Sequence, residues 1–153
     1  MRMNTALTDT QIRQYRNAGW LHCPGFLDDD EVSELKGAVL DAVEQMGGSK
    51  LTGGKRGMKE GANYYDKVFT QRINLWRIND TVQSYMLNPD VGRMASELEG
   101  VDGFRVWHYQ TLIKEPFGNQ TSLPLDNPYW SFSSRHATSI WIALEDATLE
   151  NGC

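Results

Sequence analysis

Chemistry in this 153-residue chain has to be built from three histidines, two cysteines and a scatter of carboxylates and hydroxyls. No two of the histidines, His22, His108 and His136, stand at the spacing of a metal pair. Each reads as a structural or solvated residue. His22 precedes the turn at Pro24-Gly25, His136 sits in a Ser/Arg-rich connection, and His108 alternates to the strand face opposite Tyr109 and Thr111. Among the carboxylates, Asp126 stands out within Pro124-Leu125-Asp126-Asn127-Pro128-Tyr129-Trp130. By residue type alone, Asp before Asn-Pro is turn chemistry, with metal ligation the minor alternative. Cys23 and Cys153 are too few for a disulfide scaffold or a multi-cysteine zinc site and read as free thiols. Gly53-Gly54-Lys55-Arg56-Gly57 has the composition of a phosphate cradle. It lacks the P-loop spacing and a strand-loop-helix setting, so residues 47 to 67 read as a long mobile loop.

The elements that must position these groups fall in a helix-then-strand order. Thr8 and Gln11 form a capping-box pair, and Ile12, Tyr15 and Ala18 continue one apolar helical face until Gly19. Trp20 to Cys23 reads as a brief extended segment. Asp28 caps a longer helix in which Val32, Leu35, Val39, Val43 and Met46 recur at three- and four-residue steps, ended by Gly47-Gly48. Two further short helices are predicted to start near Asp80 and at Asn88-Pro89. The period then changes to two. Residues 104 to 113 are predicted as a strand with Trp107, Tyr109, Thr111 and Ile113 on one face and His108, Gln110, Leu112 and Lys114 on the other. Residues 138 to 144 are predicted as a second strand, with Ser139, Trp141 and Ala143 sharing a face. The order indicates an α+β fold with helices flanking an antiparallel sheet.

Composition narrows the function. A 40% hydrophobic content over this length suits one packed domain, residues 1–153, mainly helical over 1–102 and stranded over 103–153. The net charge of -5 comes from dispersed groups with no basic block to neutralise phosphates, so no nucleic-acid partner is expected. No apolar run approaches the ~20 residues that span a bilayer, so no membrane partner is expected either. A soluble intracellular protein, placed in the cytoplasm, is the expectation. Two triplets match the glycosylation pattern, at Asn79 and Asn119, and without a secretion signal they read as coincidence.

Six blocks then line up in order: Gly19-Trp20-Leu21 with Pro24-Gly25-Phe26-Leu27; Val106-Trp107-His108; Leu112-Ile113-Lys114-Glu115-Pro116; Asp126-Asn127-Pro128-Tyr129-Trp130; Ser139-Ile140-Trp141-Ile142-Ala143-Leu144; and Asp146-Ala147-Thr148-Leu149-Glu150-Asn151-Gly152-Cys153. With them the chain resembles the phytanoyl-CoA dioxygenase family of Fe(II)- and 2-oxoglutarate-dependent oxygenases. The resemblance covers the front part of the family's domain.

That resemblance implies N-terminal helices buttressing a double-stranded β-helix, a cupin-like jelly roll, here incomplete. It implies hydroxylation of a small organic substrate, coupled to decarboxylation of 2-oxoglutarate at Fe(II). Asp126 takes the aspartate place of the family's His-x-Asp metal motif, and Pro124 stands where the histidine belongs. Tyr109, Thr111, Lys114 and Trp141 are the implied 2-oxoglutarate contacts; by residue type alone, Trp141 equally suits strand core and Lys114 an exposed position. The family's second histidine and its carboxylate-gripping arginine would fall beyond Cys153. The expectation is a dioxygenase frame inactive as this chain. The alternative is a non-catalytic jelly-roll module for binding or assembly. Because Asp126 is kept, the halide-for-aspartate exchange of related halogenases is not expected. Self-association through strand edges at residues 104 to 113 and 138 to 144 is a further expectation.

Overall fold

In a computed structural model of the chain, the described residues are 3–47, 70–114 and 130–151. The sequence-predicted loop over 47–67, apart from Gly47, and the Pro124 to Tyr129 motif, Asp126 included, lie outside them.

The helices begin where side chains can satisfy the first free backbone N–H groups. Helix α1 (Asp9–Ala18) opens on a reciprocal capping box: Gln11 N–H donates to Thr8 Oγ1 at 3.3 Å and Thr8 N–H donates to Gln11 Oε1 at 2.9 Å. Asp28 and Glu31 repeat the device at α2 (Asp29–Met46), at 2.8 and 3.3 Å. Asn79 caps α3 (Asp80–Met86) through Val82 N–H at 3.0 Å. Asn88 caps α4 (Pro89–Glu99), with Pro89 at a position where no N–H is needed.

The core lies between α2, α3 and a 3-10 turn at Leu75–Arg77. Leu35, Val39 and Ala42 present the buried stripe of α2 to Leu75, Val82 and Tyr85. Fully burying a leucine such as Leu35 or Leu75 contributes about 1.5–3 kcal/mol. Tyr109 and Leu144 pack against the same cluster, so both later segments are docked onto the helical half. Helices α1 and α4 are joined through polar groups: Arg16 donates to the carbonyls of Leu98 and Glu97, both at 3.0 Å, and Tyr15 donates to Glu99 at 2.5 Å.

Two strands, β1 (Thr70–Ile73) and β2 (Gln110–Ile113), form an antiparallel pair in the register Thr70↔Ile113, Gln71↔Leu112, Arg72↔Thr111 and Ile73↔Gln110. The fold is thus helices with a small antiparallel sheet. The predicted strand over 104 to 113 shortens to its last four residues, because β1 ends at Asn74, whose backbone turns left-handed (φ +59°). Asn74 still holds Tyr109, donating to its carbonyl at 2.8 Å and accepting from its N–H through Oδ1 at 3.1 Å. Residues 138 to 144, predicted as a strand, form no ladder among the described residues. A strand exists only by pairing, and here the stretch has strand-forming side chains without a partner backbone among the described residues.

Candidate functional site

Alternation along β2 puts Tyr109 and Thr111 toward the core side of the ribbon, while Gln110 and Leu112 are exposed. Thr111 is buried, and its hydroxyl and that of Tyr109 are joined by a short hydrogen bond. Burial holds the Tyr109 phenol above its ordinary pKa, with the Thr111 bond partly opposing the shift. The pair is therefore a neutral two-hydroxyl surface at any ordinary pH.

Directly across the ladder from Thr111 stands Arg72. Opposed residues in an antiparallel pair share one face, with Cβ atoms about 5 Å apart. Arg72 is itself buried, at 8% exposure. Two of its nitrogens are occupied: Nη1 donates to the Gln71 carbonyl at 3.0 Å and Nη2 to the Gly47 carbonyl at 2.5 Å, at the C-terminal end of α2. A cation there complements the helix dipole. The third, Nε, is buried without a hydrogen-bond partner, the only such side-chain atom among the described residues. A buried, partly unsatisfied guanidinium is costly, and a planar carboxylate is the group that its donor geometry suits. Arg72 and the hydrogen-bonded Tyr109–Thr111 pair thus share one face of the ribbon.

The other expected site residues are distributed differently. Lys114, one residue past β2, is exposed and in step with outward-facing Gln110 and Leu112. Trp141 is 73% exposed, and among the described residues no ring contact or hydrogen bond joins it to Tyr109 or Thr111. His136 meets Glu99 Oε2 at 3.2 Å on the surface beside α4. His108 meets Trp107 in a tilted ring contact, centroids 4.0 Å apart, and desolvation lowers its pKa. Among the described residues no three of His, Cys, Asp and Glu come together as a metal ion requires. Asp126 is outside those residues. The motif's last residue, Trp130, is inside them: it stacks on Phe132, which meets Trp107 edge-on, both at 5.4 Å.

Arg72 is the residue that sequence reasoning missed. Thr70-Gln71-Arg72-Ile73 is short and polar, with no apolar alternation to mark it as a strand. The available signal was an arginine two residues before a left-handed asparagine, which is too local to reveal a partner at Thr111.

The chain matches no curated protein and no solved structure at a significant level. Its kinship is visible at the level of a family, whose residue pattern it follows from Tyr15 onward, through both helical and strand segments. Over residues 15–153 it matches the family described as phytanoyl-CoA dioxygenase (PhyH), and it belongs to that family.

Proposed function

We propose that this chain is the co-substrate-binding part of a cytoplasmic Fe(II)/2-oxoglutarate-dependent dioxygenase frame of jelly-roll type, whose partner is a small organic substrate. Membership of the family supports an oxygenase-type function. The single observation that carries the finer reading is the buried Arg72 Nε, unpartnered and across the ladder from Thr111.

In this reading Arg72 receives a 2-oxoglutarate carboxylate through Nε. One hydroxyl of the Tyr109–Thr111 pair, the other's proton being used in the bond between them, donates to its oxygens or to the neighbouring carbonyl, and the buried setting strengthens each bond by excluding water. Lys114 and Trp141 are assigned to the rim of the same site through family resemblance. Asp126 is assigned as the metal ligand, also through resemblance. When bound, Fe(II) with 2-oxoglutarate supplies the oxidising power for hydroxylation.

Pro124 has no donor atom in its side chain, so it contributes nothing to metal binding where the His-x-Asp pattern calls for histidine. This favours a chain that binds 2-oxoglutarate without turning it over, the role of a binding or assembly module. Titrating 2-oxoglutarate into the metal-free chain by calorimetry tests the anion site. Wild type binds, Arg72→Met weakens binding roughly 10–100-fold through loss of one charge-assisted bond, and Arg72→Lys recovers part of it. Equal binding by wild type and Arg72→Met overturns the reading. Succinate release in the presence of Fe(II) and oxygen, above metal-only controls, overturns the loss of turnover.

A further inference from the structure

Helix α2 ends without a cation of its own, since no basic residue stands in its last turn, and the carbonyls at the C-terminal end of a helix have no partner inside it. Arg72 of β1 answers both needs, donating through Nη2 to the Gly47 carbonyl at 2.5 Å. The Gly47 backbone that offers this carbonyl has φ +54° and ψ -131°. That is the mirror image of the extended region, which glycine enters freely and L residues rarely adopt. The helix end is therefore not the common left-handed one. Its N–H still closes on the Glu44 carbonyl at 3.0 Å, and a Cβ added at Gly47 meets nothing within 4 Å. Backbone angle, not space, calls for glycine there.

The angle matters because ψ aims the carbonyl. An L residue at this position relaxes toward the left-handed well, near ψ about +47°, and the turn from -131° to that value is roughly half a rotation. The carbonyl would then point away from Arg72. A guanidinium is a rigid planar fork, and one held at Nη1 and at Nη2 by separate carbonyls is free neither to tilt nor to rotate. Of the two carbonyls, that of Gln71 belongs to the residue next to Arg72, so it tethers the fork without fixing it to the rest of the fold. The Gly47 contact spans 25 residues and ties the fork to α2. With that contact made, Nε is left buried, unbonded and set in direction.

We infer that Gly47 is a positioning residue for the anion site: its mirror-extended backbone aims a carbonyl that sets the Arg72 fork so that Nε faces the carboxylate. The inference rests on the 2-oxoglutarate reading of Arg72 and adds the element that prepares that site, the C-terminal end of α2. Gly47 itself touches no ligand. Its contribution is to order a long side chain before binding, which for one rotamer-rich side chain is worth about threefold to tenfold in affinity.

Titration of 2-oxoglutarate into the metal-free full chain, at a temperature where each variant is folded by circular dichroism, tests it. Gly47→Ala is expected to bind about threefold to tenfold more weakly than wild type. Gly47→Asn is the second variant, because asparagine suits an ordinary left-handed helix end and keeps α2 closed while still turning the carbonyl. It is expected to lose affinity to the same degree. In the Arg72→Met background neither substitution should weaken binding further, since the fork that Gly47 orients is gone. Gly47 variants that bind like wild type, or that lose as much in the Arg72→Met background as alone, overturn the positioning role and leave the anion site standing. A wild type that does not bind 2-oxoglutarate overturns both.

Discussion

Replacing Arg72 by methionine separates two accounts of that side chain. If Arg72 serves only to close α2, the variant loses two hydrogen bonds from a charged donor, to the carbonyls of Gln71 and Gly47. At about 1.5–3 kcal/mol for each bond to a charged group, the loss amounts to roughly 3 kcal/mol or more. If Arg72 is held for an anion, the ligand-free protein already bears the cost of a buried guanidinium with Nε unsatisfied. Methionine, of similar length and without charge, relieves that cost, and such replacements of buried ions are often neutral or stabilising by about 1–4 kcal/mol. The two contributions offset. The expected outcome is a stability within about 1 kcal/mol of wild type. Ligand linkage supplies the second readout: 2-oxoglutarate at about a hundredfold over its Kd stabilises wild type by about 2.7 kcal/mol, and Arg72→Met, binding roughly 10–100-fold more weakly, should gain only about 0.4–1.4 kcal/mol. Urea denaturation with and without 2-oxoglutarate measures both. A variant destabilised by roughly 3 kcal/mol, with no ligand-dependent gain in wild type, refutes the anion role and leaves a helix cap.

Three further outcomes follow from local geometry. Gly100→Ala should cost about 1–2 kcal/mol for its left-handed backbone (φ +70°) and more for the new Cβ, 3.1 Å from Arg16 Nη2. Gly19→Ala, equally left-handed but in open space, should cost only the backbone part, so thermal melts should rank Gly100→Ala as the worse. Tyr85→Phe removes a hydroxyl that donates to Glu34 at 2.6 Å and should cost about 1–2 kcal/mol in denaturant unfolding. Burial, then Glu34, raise the Tyr85 pKa above its ordinary 10.0. The folded state therefore keeps the phenolic proton where the unfolded chain loses it, and stability falls as pH rises past about 10. Titration should show a shallower fall in the Tyr85→Phe variant. Asp28→Ala should cost about 1 kcal/mol, because it removes the side-chain acceptor of the Glu31 N–H, while the backbone N–H of residue 28 keeps its bond to Glu31.

The helices were legible because their signals are local. Thr8 with Gln11, Asp28 with Glu31, and Asn88 before Pro89 each close hydrogen bonds within four residues, and Gly19 and Gly100 end α1 and α4 through their own backbone freedom. The sheet was legible only in part, because a strand is completed by a segment far away in sequence. The alternation of Tyr109 and Thr111 against Gln110 and Leu112 was visible, and their burial follows it. Nothing in residues 104 to 109 announces that β1 stops before Asn74, or that 138 to 144 forms no ladder among the described residues. Arg72 is the extreme case: its meaning lies wholly in a register with a residue 39 positions later.

Asn74 joins these observations into one mechanical argument. Its left-handed turn ends β1, sends the chain into the Leu75–Arg77 turn that fills the core, and leaves Oδ1 to accept from Tyr109 N–H at 3.1 Å and Trp76 Nε1 at 3.2 Å. An asparagine tolerates this conformation at less cost than a branched residue, and its side chain replaces the ladder bonds that β1 would otherwise supply. The Tyr109 hydroxyl is thereby tied to Thr111 on one side and, through backbone, to the buried Leu75 on the other. Arg72 is fixed two residues earlier by the end of α2. The proposed anion-binding groups thus rest on a two-stranded sheet held against the buried core through Asn74 and Tyr109. In the proposed site, a carboxylate that bonds Arg72 Nε would meet donors already held in place, so little ordering cost would oppose its binding.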